Sequence, residues 1–308
     1  TGGSAPLREG TITLNGTGVG GGGALRFSGI GGNIASNISL GSNASIVSVA
    51  SGTVIFSGEY RDAFGRALYN ITGNNHDLTF GGTGRMIVEA DIILGTGSLI
   101  KTGGGQLDLL GSTSLSGTFA VNEGRVEFVA GGNLTSTGLV TVASGAQLNL
   151  VGNNSIGNLS GAGGLELANG TLTLGDGSDQ SFSGVISDST RSEGNLTKQG
   201  SGTLTLSGAN TYRGVTTINA GILRATHNAA LGTTAGGTVV ASGASLEFSG
   251  GITTSENITL SGTGVGGGGA LRNISGNNVL SGAITLMGDT LLNNNTGSFI
   301  TGGLDLNG

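Results

Sequence analysis

Cysteine and tryptophan are absent from the 308 residues, proline occurs once, and aromatic residues make up 4% and charged residues 10%. Without cysteine there is no disulfide framework and no thiolate metal site. That absence fits a protein secreted without disulfides as well as one that needs no thiols. The 12 Lys and Arg residues are scattered singly within a net charge of −6, which leaves no basic face to displace counterions and excludes nucleic acid as a partner. The acidity serves solubility. No apolar run approaches the roughly 20 residues that a membrane helix needs, so no membrane insertion is expected in this segment. Scarce aromatics argue against a bulky globular centre.

Glycine is abundant, at 66 residues. It follows no three-residue period, which excludes collagen, and the 36% of hydrophobic residues lie in short alternating runs rather than in the dilute pattern of a disordered linker. No linker-like segment divides the chain, so residues 1–308 are expected to form one continuous body. The chain starts at Thr1 without Met or signal peptide and reads as a piece of a longer protein.

Internal repeats set the architecture. KTGGGQLDLLGSTSLSGTFAVNEGRVEF, residues 101–128, aligns without a gap on KQGSGTLTLSGANTYRGVTTINAGILRA, residues 198–225. The following segments match as well, so related units lie at about 95–152 and 192–250, with a shorter third copy at 49–58. GTGVGGGGALR occurs twice word for word, and residues 11–26 recur at 257–272. This pattern suits a long repetitive chain or a subunit whose two ends resemble each other.

Within each unit the apolar residues alternate. Leu204 and Leu206 share one face of a strand, and Thr203, Thr205 and Ser207 share the other. No ten-residue stretch has helical spacing, so the chain is all-β. A sandwich or barrel competes with a solenoid of stacked coils, and equal-length repeats with Gly and Asn at fixed places favour the solenoid. Leu107, Leu109, Leu204, Leu206 and Ile218 are expected in the coil core. Asn122, Gly124, Asn219 and Gly221 are expected at corners, where Gly and Asn tolerate the left-handed backbone. Coils of about 20 to 25 residues would give about 12 to 15 coils and a rod of about 60 to 70 Å.

Residues 184–225, with the core LTKQGSGTLTLSGANTY and the turn TTINAG, resemble the passenger-associated transport repeat of bacterial surface proteins, also called the autotransporter-associated β-strand repeat. Residues 95–128 are a degenerate copy, and GALRNISGNN at 269–278 is similar to the spacer between such repeats. The resemblance implies a single-stranded right-handed parallel β-helix, extracellular or on the surface of a Gram-negative-type cell. It carries no catalytic residues to transfer.

Little else offers chemistry. His76 and His227 have no neighbour at metal-ligand spacing and read as surface or turn residues. Glu89 and Asp91 are expected on one face of one strand, Asp176 and Asp179 lie in a DGSD turn, and all four read as solvated. GVGGGG lacks the Lys-Ser/Thr ending and the following helix of a phosphate loop, and reads as a tight corner. Catalytic, metal and cofactor sites are therefore expected to be absent. The densest irregular spot, GEYRDAFGRALYN, brings together Glu59, Tyr60, Arg61, Asp62, Arg66 and Tyr69 and is the best sequence candidate for a partner-binding loop.

Two functions follow. The first is an extracellular structural filament, stalk or sheath built by continued or end-to-end stacking of coils, with the chain itself as partner, either as a homopolymer or within a longer chain. The second is an adhesin passenger that binds a host surface or a polysaccharide. A β-helix polysaccharide-degrading enzyme ranks below both, because the charges are isolated and the three Tyr are dispersed.

Overall fold

The computed structural model describes residues 7–56, 69–129, 131–189 and 192–305. The chain is an all-β parallel β-solenoid. It divides into two compact units, Thr1–Ser155 and Ile156–Gly308.

In the first unit one coil runs through three short strands, Met86–Val88, Asp91–Gly95 and Leu99–Lys101, and the next through Gln106–Leu109, Ser112–Leu115 and Phe119–Val121. Each strand pairs in parallel with its counterpart on the next coil. Period-two alternation sends every second side chain inward, and the register stacks those side chains into columns. Val54, Met86, Leu107, Val126 and Leu148 form one column, and Leu78, Leu99, Phe119 and Val140 another. All nine are fully buried.

The second unit repeats the scheme. Leu204, Leu223, Leu246 and Leu271 are in register, as are Thr216, Thr238, Ile258 and Ile284. Coil partners stand 19 residues apart at Leu204 and Leu223 and 26 apart at Ile258 and Ile284. Between Leu206 and Thr216 the chain forms no strand. Instead Asn210 and Tyr212 of the ANTY motif turn inward, and both are buried. The Asn210 Oδ1 accepts the Ile186 N–H at 2.8 Å while its Nδ2 donates to the Ala230 carbonyl at 2.6 Å.

Backbone N–H groups at the turns, which the ladders leave unpaired, are met by side chains of the neighbouring coil. Asn37, Asn75, Asp77 and Asp91 accept from the N–H groups of Asn70, Thr96, Ser98 and Ser112, each one coil later. Asp179, Asn195 and Asn257 do the same for Thr203, Val215 and Ala283. The buried Asn154, Asn210 and Asn278 work the other way and accept from Leu134, Ile186 and Ile252 of the coil before.

Where the chain turns between coils, glycines in the left-handed region stack on one another. Gly103 and Gly124 have φ 70° and Gly221 has φ 65°. A Cβ on Gly124 would lie 2.4 Å from the Gly105 carbonyl oxygen, and one on Gly221 2.4 Å from that of Gly200. Gly243 has φ 83° but open space around it. Both substitutions to Ala meet the left-handed penalty of roughly 1–2 kcal/mol, and only Gly221→Ala adds a backbone clash. Urea denaturation is expected to show Gly243→Ala about 1 kcal/mol less stable than the parent and Gly221→Ala at least about 2 kcal/mol less stable. Equal losses would contradict this reading of the corner.

Candidate functional site

The residues expected to fill the coil, Leu107, Leu109, Leu204, Leu206 and Ile218, are each at most 1% exposed. At the expected corners the side chains of Asn122 and Asn219 are exposed, and these residues take part through their backbone. The Asn122 N–H donates to the Lys101 carbonyl and the Asn219 N–H to that of Lys198. An asparagine contact between successive coils is present elsewhere, from the Asn273 Nδ2 to the Asn294 Oδ1 at 2.8 Å.

Those two lysines are the feature that the sequence analysis left unassigned. Lys101 and Lys198 occupy the same place in the two repeat units and are fully buried. Each belongs to an inward column, between Phe80 and Val121 and between Leu174 and Ile218 respectively. The Lys198 Nζ donates to the carbonyls of Gln199 at 2.8 Å, Gly200 at 2.9 Å and, one coil later, Ala220 at 3.3 Å. The Lys101 Nζ makes the same three bonds to Thr102, Gly103 and Glu123. An ammonium has three donors and no acceptor, so this cage satisfies it completely. In each repeat unit the lysine thus ties its own corner to the next coil, through carbonyls that the left-handed glycines aim at it. The recurrence of Lys at one repeat position marks the pair in the sequence, but not the carbonyls that cage it.

A second polar cluster lies inside the second unit. The Tyr212 hydroxyl and Thr216 Oγ1 are 2.6 Å apart, and the Thr238 hydroxyl donates to the Glu256 carboxylate at 3.0 Å. Burial pushes the Glu256 carboxyl up to about 7, with the Thr238 bond opposing it, and burial also raises the Tyr212 phenol. The charges pair more than isolated positions suggest. Glu247, 1% exposed, bridges Arg224 and Arg272 at 2.7 Å each, and Asp108 holds Arg85.

The shared strand face expected for Glu89 and Asp91 is not formed. Glu89 and Asp91 do not share a strand, because one strand ends at Val88 and the next begins at Asp91, with a bend at Ala90. Asp176 accepts from the Ser178 hydroxyl and N–H and from Asn158, bonds that hold its carboxyl below the usual range. His227 Nδ1 accepts the Ala229 N–H. Among the described residues no three His, Cys, Asp or Glu side chains are grouped to hold a metal. Of the sequence-predicted loop, Glu59, Tyr60, Arg61, Asp62 and Arg66 lie outside the described residues. Tyr69 is half-buried, next to the strand Asn70–Thr72.

Burial draws both lysine amines down to about 8, against coulombic support from Glu123 at Lys101 and from Asp176 and Asp179 at Lys198. Between pH 8 and the ordinary value of 10.5 the folded chain therefore binds fewer protons than the unfolded chain, so stability rises with pH across that window. The slope is at most about 1.4 kcal/mol per pH unit for each lysine. Urea midpoints measured from pH 8 to 10 are expected to rise for the parent, to rise about half as much for Lys198→Met, and to stay flat for Lys101→Met with Lys198→Met. A parent midpoint that falls over this range would contradict the assignment.

No solved structure matches the chain. Over 168 residues, 52% of this chain, it is 34% identical to the Adhesin BmaC autotransporter of Brucella suis biovar 1 (strain 1330). The matched part spans only 4% of that protein's length. The Passenger-associated-transport-repeat family model matches residues 99–128 and 196–225, and each match opens two residues before a caged lysine and closes at the end of a strand about one coil later, at Phe128 or Ala225. The chain thus carries two passenger-associated transport repeats on a parallel β-solenoid.

Proposed function

We propose that this chain is a stretch of an autotransporter passenger of the adhesin type, secreted from a Gram-negative bacterium and exposed at its surface, where it binds a host surface or a polysaccharide. The observation that carries this reading is the pair of passenger-associated transport repeats, supported by the similarity to an autotransporter adhesin. That similarity favours the adhesin over the filament, the other reading open to the sequence. The physical character of the chain agrees with it. A solenoid whose polar groups are spent on stacking coils has little side-chain chemistry left for turnover, but it displays surface.

The contact with the partner is assigned to the segment richest in charge and aromatic residues, with Glu59, Tyr60, Arg61, Asp62, Arg66 and Tyr69 as its candidate residues. Loops inserted on a rigid scaffold are the usual carriers of binding.

The test is display of the chain on a non-adherent Gram-negative strain, fused to a heterologous outer-membrane anchor, with adherent bacteria counted on epithelial monolayers and on immobilised polysaccharides. Adherence at least fivefold above the anchor alone is expected on one of these surfaces, with most of the gain lost when residues 59–66 are replaced by Gly and Ser. Display that is confirmed by surface proteolysis but gives no adherence on any of them would reject the reading.

A further inference from the structure

One corner position of the second unit is kept for glycine, with a single departure. Two residues before the in-register inward residues Leu196, Thr216, Thr238, Ile258 and Ile284 stand Gly194, Gly214, Gly236, Glu256 and Gly282. The stack at this corner is close. A Cβ on Gly214 would lie 2.3 Å from the Gly194 carbonyl oxygen, one on Gly236 2.2 Å from that of Gly214, and one on Gly282 2.0 Å from that of Glu256. Glu256 thus puts a carboxyl into a column of glycines, and it is 1% exposed.

The enclosure offers a carboxylate little. The Thr238 hydroxyl, one coil before, donates to it at 3.0 Å, and it forms no ion pair among the described residues. Of the elements packed around the corner, the strands Thr238–Val240, Thr253–Thr254 and Ile258–Gly262 carry no charged or titratable side chain. The turn before Val215 carries Tyr212, a phenol that burial keeps protonated, and Arg213, which is engaged by Asp188 and the Ser189 carbonyl. His227, on the turn before Thr238, and Asp289, on the strand Asn278–Thr290, are both exposed.

The backbone beside Glu256 is paired on one side. Thr253–Thr254 is the shortest strand among the described residues, and its ladder runs to Asn278–Thr290. On the coil before, the chain forms no strand between residues 226 and 237, and there the Asn228 Oδ1 accepts the Thr253 N–H at 2.9 Å. A short segment with one ladder opens more readily than strands paired on both edges.

We propose that the corner at Glu256 is a pH-gated opening point of the second unit: a neutral carboxyl lets residues 253–257 stack closed, and its ionisation drives that segment out of the coil toward water. Burial raises this carboxyl from the ordinary 4.5 to about 7, with the Thr238 bond opposing the rise. The folded value lies above the unfolded one, so the stability it contributes is fully present below pH 4.5 and is lost as pH rises through 7. That sign is opposite to the one worked out for Lys101 and Lys198, whose contribution grows from pH 8 upward. An uncompensated buried charge is relieved by opening wherever the surrounding backbone is weakly held. The proposal is independent of adhesion and stands or falls separately from it.

The test is amide hydrogen exchange of the full chain, read by mass spectrometry from pH 5 to 8 and corrected for the intrinsic pH dependence of exchange. Protection of residues 253–258 is expected to fall by up to about tenfold per pH unit between pH 5 and 7 and then to level off, while residues 106–109 of the first unit keep theirs. The Glu256→Gln chain, isosteric with the neutral acid, is expected to hold at pH 8 the protection that the parent has at pH 5. Thr238→Val removes the bond that favours the charged form and is expected to carry the fall to higher pH. The proposal is overturned if the parent's protection at residues 253–258 stays constant or rises between pH 5 and 7, or if residues 106–109 lose protection equally. It is also overturned if the Glu256→Gln chain shows the same fall as the parent. The parent's profile decides the matter even where a variant does not fold.

Discussion

Everything in this molecule is subordinate to one constraint: the backbone of each coil is the hydrogen-bonding template for the next, in parallel and in register. Parallel ladders put equivalent residues directly above one another, so a position cannot be chosen for its own coil alone. An inward position must suit the inward positions above and below it, and a turn must leave room for the turn stacked on it. The aliphatic columns of Leu, Val and Ile and the left-handed glycines at Gly103, Gly124 and Gly221 are two outcomes of that rule. At Gly124 and Gly221 the carbonyls come so close that no side chain fits, and in the two repeat units a lysine amine supplies the donors that the ladders cannot.

The same rule explains what could be read from the sequence. Alternation along Thr203–Leu206 and the gapless match between residues 101–128 and 198–225 are local or repetitive signals, and they were enough to identify the fold class and the residues filling the coil. The lysine cage was not legible, because it joins Lys198 to Ala220 across 22 residues through backbone carbonyls that no residue type announces. Nor was the Arg224–Glu247–Arg272 stack, whose members stand more than 20 residues apart and meet only through coil register. The ANTY motif reads as one more strand boundary, yet Asn210 and Tyr212 enter the core, because the Asn210 amide can serve the coils on both sides of it. Glu89 and Asp91 failed as a pair because period two was carried across a bend that Ala90 introduces.

A chain built this way commits its polar side chains to structure. Asn and Asp, which elsewhere gather into sites, here accept turn N–H groups from neighbouring coils, and most of the buried polar atoms have partners within the stack. Glu256 is the exception, a carboxyl held inside the second unit by a single threonine and raised by burial.

The register of the coils is open to direct measurement because the chain contains no cysteine. Thr217 and Val239 are outward-facing partners on adjacent coils, and Thr259 follows Val239 one coil further on. Parallel partners in register bring their Cα atoms within the range a disulfide can bridge, whereas residues two coils apart, at roughly 9–10 Å, lie beyond it. Oxidation of the Thr217→Cys, Val239→Cys variant should therefore give an intramolecular disulfide in nearly every molecule, and the Thr217→Cys, Thr259→Cys variant should give none. Efficient cross-linking of the second pair, or failure of the first in a folded protein, would contradict the stacked-coil account.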